Sequence, residues 1–169
     1  MTSQNLDRWN ELNKKEYEAM AEKYGTPFYL YDADAVNYRI QMIRESMDNL
    51  VEVFYAVKAN PNLGLLRAIH GVTNGLDISS GGELEQAELA GFDMANISFA
   101  GPAKTRNELT TSIEKGVGCI SIESMRELKE CMEISKQTGI KANVVVRVNP
   151  KLLNRAFGMK MGGRPIQFG

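Results

Sequence analysis

Histidine is almost missing from this chain, with His70 the single example in 169 residues. A site built from several histidine ligands is therefore excluded. The two cysteines, Cys119 and Cys131, are too few for a disulfide framework, and their spacing matches no metal motif. No metal is expected. A basic surplus is missing too: 20 Lys and Arg stand against 21 Asp and Glu, for a net charge of −1. Phosphate-backbone binding needs a clustered positive excess, so nucleic acid is not an expected partner. No stretch holds the roughly 18 consecutive apolar residues of a membrane span. Met1 to Lys15 is polar and charged, without the apolar centre of a signal peptide. The expectation is a soluble, cytoplasmic chain. Its 43% hydrophobic and 24% charged residues are proportions of an ordinary globular domain.

Leu6, Trp9, Leu12, Met20 and Tyr24 recur at helical spacing, which predicts an amphipathic helix over 5–24, stopped by Gly25-Thr26-Pro27. Phe28 to Tyr31 is a short aromatic strand candidate. Asp32 or Asp34 then caps a helix with an apolar stripe of Val36, Ile40, Ile43 and Met47. From residue 51 the organisation repeats. Apolar, β-branched runs occupy 52–58, 75–79, 97–100, 118–122 and 142–148, their starts about 22 residues apart. Three of the intervening helices open alike, with Ser80…Glu83, Thr105…Glu108 and Ser124…Glu127. Each is a capping-box pattern, in which hydroxyl and carboxylate satisfy first-turn N–H groups. Gly91, Gly116 and Gly139 fall where those helices should stop in a left-handed residue. This is the grammar of parallel βα units. An open doubly wound sheet and a (β/α)8 barrel both fit. No G-x-G-x-x-G follows the first run, and short regular units favour the barrel. A barrel needs eight strands in about 250 residues. Five runs followed by Gln167-Phe168-Gly169 therefore read as part of a larger fold.

Ligands of either architecture sit at the carboxyl ends of the strands, so polar residues there are the candidates. Lys58 ends Val53-Phe54-Tyr55-Ala56-Val57 just before Pro61. Burial behind five apolar residues would lower its pKa, as a Schiff-base amine requires. The plain alternative is a lysine reaching out to solvent at a strand end. Asp77, in the second run, would pair with Lys58 or with a cofactor cation, or else serve as a turn residue. Arg147 interrupts Val144 to Val148, and its guanidinium wants an anionic or planar partner or a structural ion pair. The helix start at Ser80-Gly81-Gly82 offers N–H groups to a phosphate, although capping explains it as well. Gly162-Gly163 reads as a turn, His70 as a helix-surface residue, the nine methionines as core filler, and both cysteines as small hydrophobes.

With these residues in view, the chain resembles the fold-type III pyridoxal-phosphate decarboxylases, the ornithine/diaminopimelate/arginine decarboxylase group, from about Thr26 to Gly169. Phe54-Tyr55-Ala56-Val57-Lys58-Ala59-Asn60 is similar to the family's Y-A-x-K-A phrase. Leu76-Asp77-Ile78-Ser79-Ser80-Gly81-Gly82-Glu83-Leu84 is similar to its D-x-x-S-x-x-E-L segment, at an interval from Lys58 that also agrees. Ile97 to Lys104 resembles the third-strand phrase, and Arg147-Val148-Asn149-Pro150 the fifth. The stretch from Phe157 to Gly169 looks more like decarboxylases of secondary metabolism and polysaccharide export, some of which act on aminoacyl groups held by a carrier protein.

The resemblance implies an α/β fold, a partial (β/α)8 TIM barrel of the alanine racemase-like cofactor-binding type with about five strands present. It implies residues 1–27 as an N-terminal helix and lead-in, 28–169 as the incomplete barrel, and a C-terminal β-domain lying outside the chain. It implies pyridoxal 5′-phosphate as cofactor, held on Lys58 as a Schiff base, with Asp77 tuning that lysine and Arg147 near the ring. Glu83 would contact the ring nitrogen, a role that excludes capping in any one rotamer. The reaction implied is decarboxylation of an α-amino acid, free or on a carrier protein, by a head-to-tail homodimer. The ring-stacking histidine, phosphate loop and substrate-facing cysteine of the family lie beyond these 169 residues. Three other readings stay open. An amino-acid racemase would follow its lysine with A-Y-G-H-G, where this chain has Asn60-Pro61-Asn62-Leu63. A non-catalytic cofactor-binding homologue would lack turnover. A truncated product would expose two unpaired strand edges.

Overall fold

A computed structural model describes residues 14–149. The chain divides into two compact units, Met1–Val53 and Phe54–Gly169. In the first, α1 spans Lys14–Tyr24 and α2 spans Ala33–Ser46. The expected first helix is present from Lys14 onward, and 5–13 lie outside the described residues. Gly25, at φ 78, stops it and donates its N–H to the Ala21 carbonyl. The Thr26–Pro27 peptide is cis. Phe28 to Tyr31 does not form the expected strand. A strand exists only with a paired neighbour, and this run has none among the described residues. Within it Tyr29 and Tyr31 stack, with Tyr29 almost fully exposed. Asp32 is the cap of α2, accepting from the N–H groups of Asp34 and Ala35 at 2.9 and 3.1 Å. Of the expected stripe only Ile40 is buried. Ile43 and Met47 are exposed.

The second unit is a five-stranded parallel sheet: β1 (Phe54–Ala56), β2 (Gly75–Ile78), β3 (Ile97–Phe99), β4 (Cys119–Ile122) and β5 (Val144–Val146). Between them lie α3 (Leu63–Ile69), α4 (Gly81–Leu89), α5 (Arg106–Glu114) and α6 (Met125–Thr138). The spatial order equals the chain order. Right-handed crossovers in a sequentially ordered parallel sheet put every helix on the same side. A doubly wound sheet instead reverses its order at a switch point. The order therefore decides between the two architectures, in favour of a barrel wall.

The pleat separates two faces. Leu76, Ile78, Ile97, Phe99, Ile120 and Ile122 are all buried against the helical layer, where Leu66, Ile69, Leu84, Leu109 and Ile134 meet them. Each such side chain contributes about 1.5–3 kcal/mol over leaving it in water. In-register pairing puts Ala56, Asp77, Ser98 and Cys119 in one row on the other face, one strand after another.

Two glycines seal the amino end of the sheet. A Cβ on Gly75 or Gly118 would fall 1.9 Å from the Asn96 or Ala95 carbonyl oxygen. The 3-10 turn Met94–Asn96 is thus pressed between β2 and β4, and Gly118 N–H donates to the Met94 carbonyl at 2.9 Å. Gly91, Gly116 and Gly139 take the expected left-handed conformation at φ 90, 72 and 73. No helix among the described residues is long and apolar enough to cross a membrane.

Candidate active site at the carboxyl ends of the strands

Each helix start is held by its own hydroxyl, as the sequence predicts. Ser80, Thr105 and Ser124 accept from the N–H of Glu83, Glu108 and Glu127. Only Thr105–Glu108 closes the full reciprocal box. The other two carboxylates reach one residue further back, Glu83 to Ser79 N–H at 2.6 Å and Glu127 to Glu123 N–H at 2.9 Å.

What the spacing does not show is that the capping carboxylates also bind the neighbouring unit. Glu108 accepts from Gly81 N–H at 2.8 Å, and Glu127 accepts from Lys104 N–H at 3.1 Å. Burial works to raise the Glu108 carboxyl. The N–H groups of Thr105 and Gly81, the Thr105 hydroxyl and the Lys104 charge outweigh it and hold the group below the ordinary carboxylate value. The N–H groups of Ser79 and Gly81 at the α4 start are thus both given to carboxylates.

A buried ion pair at this end went unread in the sequence. Lys104 and Glu127 form an ion pair at 3.2 Å with both side chains 1% exposed. Ala103, at φ 60, turns the chain so that Lys104 Nζ also donates to the Gly101 carbonyl at 2.6 Å. Arg126 caps the same loop by donating to the Lys104 carbonyl at 2.8 Å.

Lys58 lies in a 3-10 turn, Val57–Ala59, directly beyond β1. It is exposed, whereas Val57 beside it is fully buried. The expected burial of Lys58 is therefore corrected: the turn breaks the strand alternation and sends Val57, not the lysine, inward. Among the described residues no ion pair involves Lys58. Asp77 lies across from Ala56 in the adjacent strand and accepts from the Ser98 hydroxyl at 2.9 Å. Asp77 and Lys58 thus share one end of neighbouring strands without bonding. Just past Lys58, Asn60 accepts from Asn62 N–H, while its buried Nδ2 has no hydrogen-bond partner among the described residues. Nothing in the sequence singled this amide out. Glu83 uses one oxygen, Oε2, at the helix start. A carboxylate has about four acceptor positions, so capping and a second contact do not exclude each other as expected.

Arg147 meets Glu123 at 3.1 Å, with the Glu123 side chain 2% exposed, so it has the structural ion pair that was one of its two readings. Cys119, completing the polar row, is half-buried. Burial and then the nearby Asp77 charge push its thiol up. Burial, then Glu127, does the same to Cys131. His70 ends α3 and sets its ring edge-on to Phe92, with Nε2 3.0 Å from the Gly91 carbonyl. It is structural. Gly162 and Gly163 lie outside the described residues. Among those residues no group of three or more His, Cys, Asp or Glu is placed to hold a metal.

The family model described as "Pyridoxal-dependent decarboxylase, pyridoxal binding domain" matches residues 33–169. The chain belongs to this family. Among relatives of this decarboxylase domain, the L-glutamyl-[BtrI acyl-carrier protein] decarboxylase of Niallia circulans is 35% identical over 158 residues, 94% of this chain and 37% of its own length. A diaminopimelate decarboxylase of Pseudomonas aeruginosa is 38% identical over 132 residues, covering 78% of this chain and 32% of its own. The structure of diaminopimelate decarboxylase from M. jannaschii superposes with a TM-score of 0.78 at 31% identity, over 89% of this chain and 37% of that one. A structure named SrLDC, in complex with PLP and cadaverine, superposes at 0.69 and 28% identity over 87% and 37%. The chain spans about a third of the length of these relatives. The family's cofactor is a pyridoxal, and the partial barrel is that of its pyridoxal binding domain.

The residues present fit the aldehyde and ring ends of such a cofactor. An exposed primary amine stands at one strand tip, a carboxylate lies in the adjacent strand, and the other members of its row, Ala56, Ser98 and Cys119, have small side chains. The orphaned Asn60 amide is a further donor at the same tip.

Proposed function

We propose that this protein contributes the lysine-bearing half of the active site of an amino-acid decarboxylase, with Lys58 as the amine that carries pyridoxal 5′-phosphate. The observation that carries the reading is the exposed Lys58 at the tip of β1, one strand from Asp77. Exposure serves the role, because the amine must be reached by both the cofactor and the incoming substrate. Asp77, fixed by the Ser98 hydroxyl, sets a negative charge one strand from the amine. Glu83 offers its second oxygen to the ring nitrogen, while Oε2 stays on Ser79 and holds the carboxylate in place. Arg147 supplies positive charge at the far side of the row. When bound, the cofactor supplies an electron sink for the pair released as carbon dioxide leaves the substrate.

The substrate we propose is an α-amino acid, free or joined to a carrier protein. The carrier-protein relative aligns over 158 residues, more than the family match of 33–169 can hold, so that likeness extends ahead of residue 33. Residues 28–169 are read as barrel and 1–27 as lead-in, within a cytoplasmic homodimer whose remaining strands and β-domain complete the site.

The test is carbon dioxide release from carboxyl-labelled diaminopimelate, lysine, ornithine and glutamyl carrier protein by the full-length protein. Release from at least one, falling to background in Lys58→Ala, is expected. Cofactor uptake without release from any of them would replace this reading with the non-catalytic one.

A further inference from the structure

Arg147 does not stand alone at the tip of β5. Its N–H donates to the Ile122 carbonyl at 3.0 Å, and its guanidinium meets Glu123 at 3.1 Å. The backbone of Arg147 is therefore tied to Ile122, which ends β4, and its side chain to Glu123 just beyond. Alternation from the paired Ser121 and Val145 carries Glu123 and Arg147 to the polar face of the sheet. Glu123 is itself anchored. Its N–H donates to Glu127 Oε2, and Glu127 is clamped by the Lys104 ammonium and the Lys104 N–H. A chain of contacts thus runs from the β3–α5 loop through a buried ion pair to the arginine.

We propose that Glu123 is a positioning residue for Arg147, holding its guanidinium at the cofactor end of the sheet. The inference rests on the reading of Arg147 as a cofactor-side residue. A long arginine at a strand tip has many rotamers, and freezing one costs entropy that binding would otherwise bear. A carboxylate that is 2% exposed and seated on a rigid base selects one rotamer in advance. The counter-charge also makes the half-buried guanidinium tolerable before any cofactor arrives.

The experiment is a double-mutant cycle on the full-length protein, reading pyridoxal-phosphate affinity and the visible circular-dichroism band of the bound cofactor. Glu123→Gln keeps the side-chain shape and the backbone contact to Glu127. It should weaken cofactor binding about tenfold, a coupling in the range measured for contacting pairs, and change the visible band. In the Arg147→Met background the same substitution should do nothing further. Should Glu123→Gln fold poorly, Glu123→Asp, which keeps the charge and shortens the reach, is read through the same cycle with a smaller effect. An unchanged affinity and band, or an equal loss in both backgrounds, overturns the inference. Failure of the unsubstituted protein to bind the cofactor would remove the reading beneath it, and is told apart because no substitution is involved.

Discussion

The Lys104–Glu127 pair gives a prediction with an unusual sign. Replacing one member of a buried ion pair costs about 3–5 kcal/mol, whereas replacing both with apolar residues is often neutral or stabilising. This pair should not follow the second half of that rule. Glu127 also accepts from the N–H groups of Lys104 and Glu123, and Lys104 Nζ serves the Gly101 carbonyl. Lys104→Met leaves Glu127 with its two backbone donors and should cost about 3 kcal/mol, the low end of that range. Glu127→Leu orphans both N–H groups and leaves the ammonium with the Gly101 carbonyl but no counter-charge, at about 1–3 kcal/mol for each unsatisfied N–H and more for the charge. The double variant removes both charges but still orphans the two N–H groups, so about 2–6 kcal/mol should remain. Native-state hydrogen exchange of the full-length protein, followed in short peptides covering 101–105 and 122–127, reads the loops directly. Exchange at Lys104 and Glu123 should speed by roughly tenfold or more in Glu127→Leu and in the double variant, tenfold being about 1.4 kcal/mol. It should change much less in Lys104→Met. Wild-type exchange in the double variant would refute the idea that this carboxylate holds two loops.

Three further outcomes are expected. Gly118→Ala drives a Cβ into the Ala95 carbonyl and should cost about 3 kcal/mol or more. Gly116→Ala, at φ 72 with open space around it, should cost about 1–2 kcal/mol, and equal melting losses for the two would contradict the close approach. Both thiols are pushed up and should alkylate slowly near neutral pH; Asp77→Asn should speed labelling of Cys119 at alkaline pH while leaving Cys131 unchanged. Glu108, held below its ordinary value of 4.5, contributes stability that is present above that pH and is lost as pH falls through its folded value. Glu108→Gln should therefore flatten the acid limb of the stability profile, and an unchanged acid limb would count against the Gly81 and Thr105 contacts.

Features carried by local order were legible in the sequence. The five apolar runs, the hydroxyl caps at Ser80, Thr105 and Ser124 and the glycine stops at Gly91, Gly116 and Gly139 each depend on residues within one turn or one strand. Features carried by contacts between units were not. Glu108 and Glu127 read as simple caps because nothing in their own helices reveals Gly81 or Lys104 as second partners. Lys104 was visible only as part of a third-strand phrase, although a lysine just ahead of a capping threonine stands close to the next helix start. Phe28 to Tyr31 had strand chemistry without a partner to pair with among the described residues. Lys58 had the apolar run that suggests burial, but the 3-10 turn re-aimed it outward. Asn60 carried no signal beyond its place next to the lysine.

The central claim is that Lys58 carries the cofactor, and borohydride reduction of the pyridoxal-phosphate-loaded, full-length protein followed by peptide mapping tests it most directly. The account predicts a single pyridoxyl-lysine at Lys58, lost in Lys58→Ala. A label on another lysine, or one that persists undiminished in that variant, would contradict it.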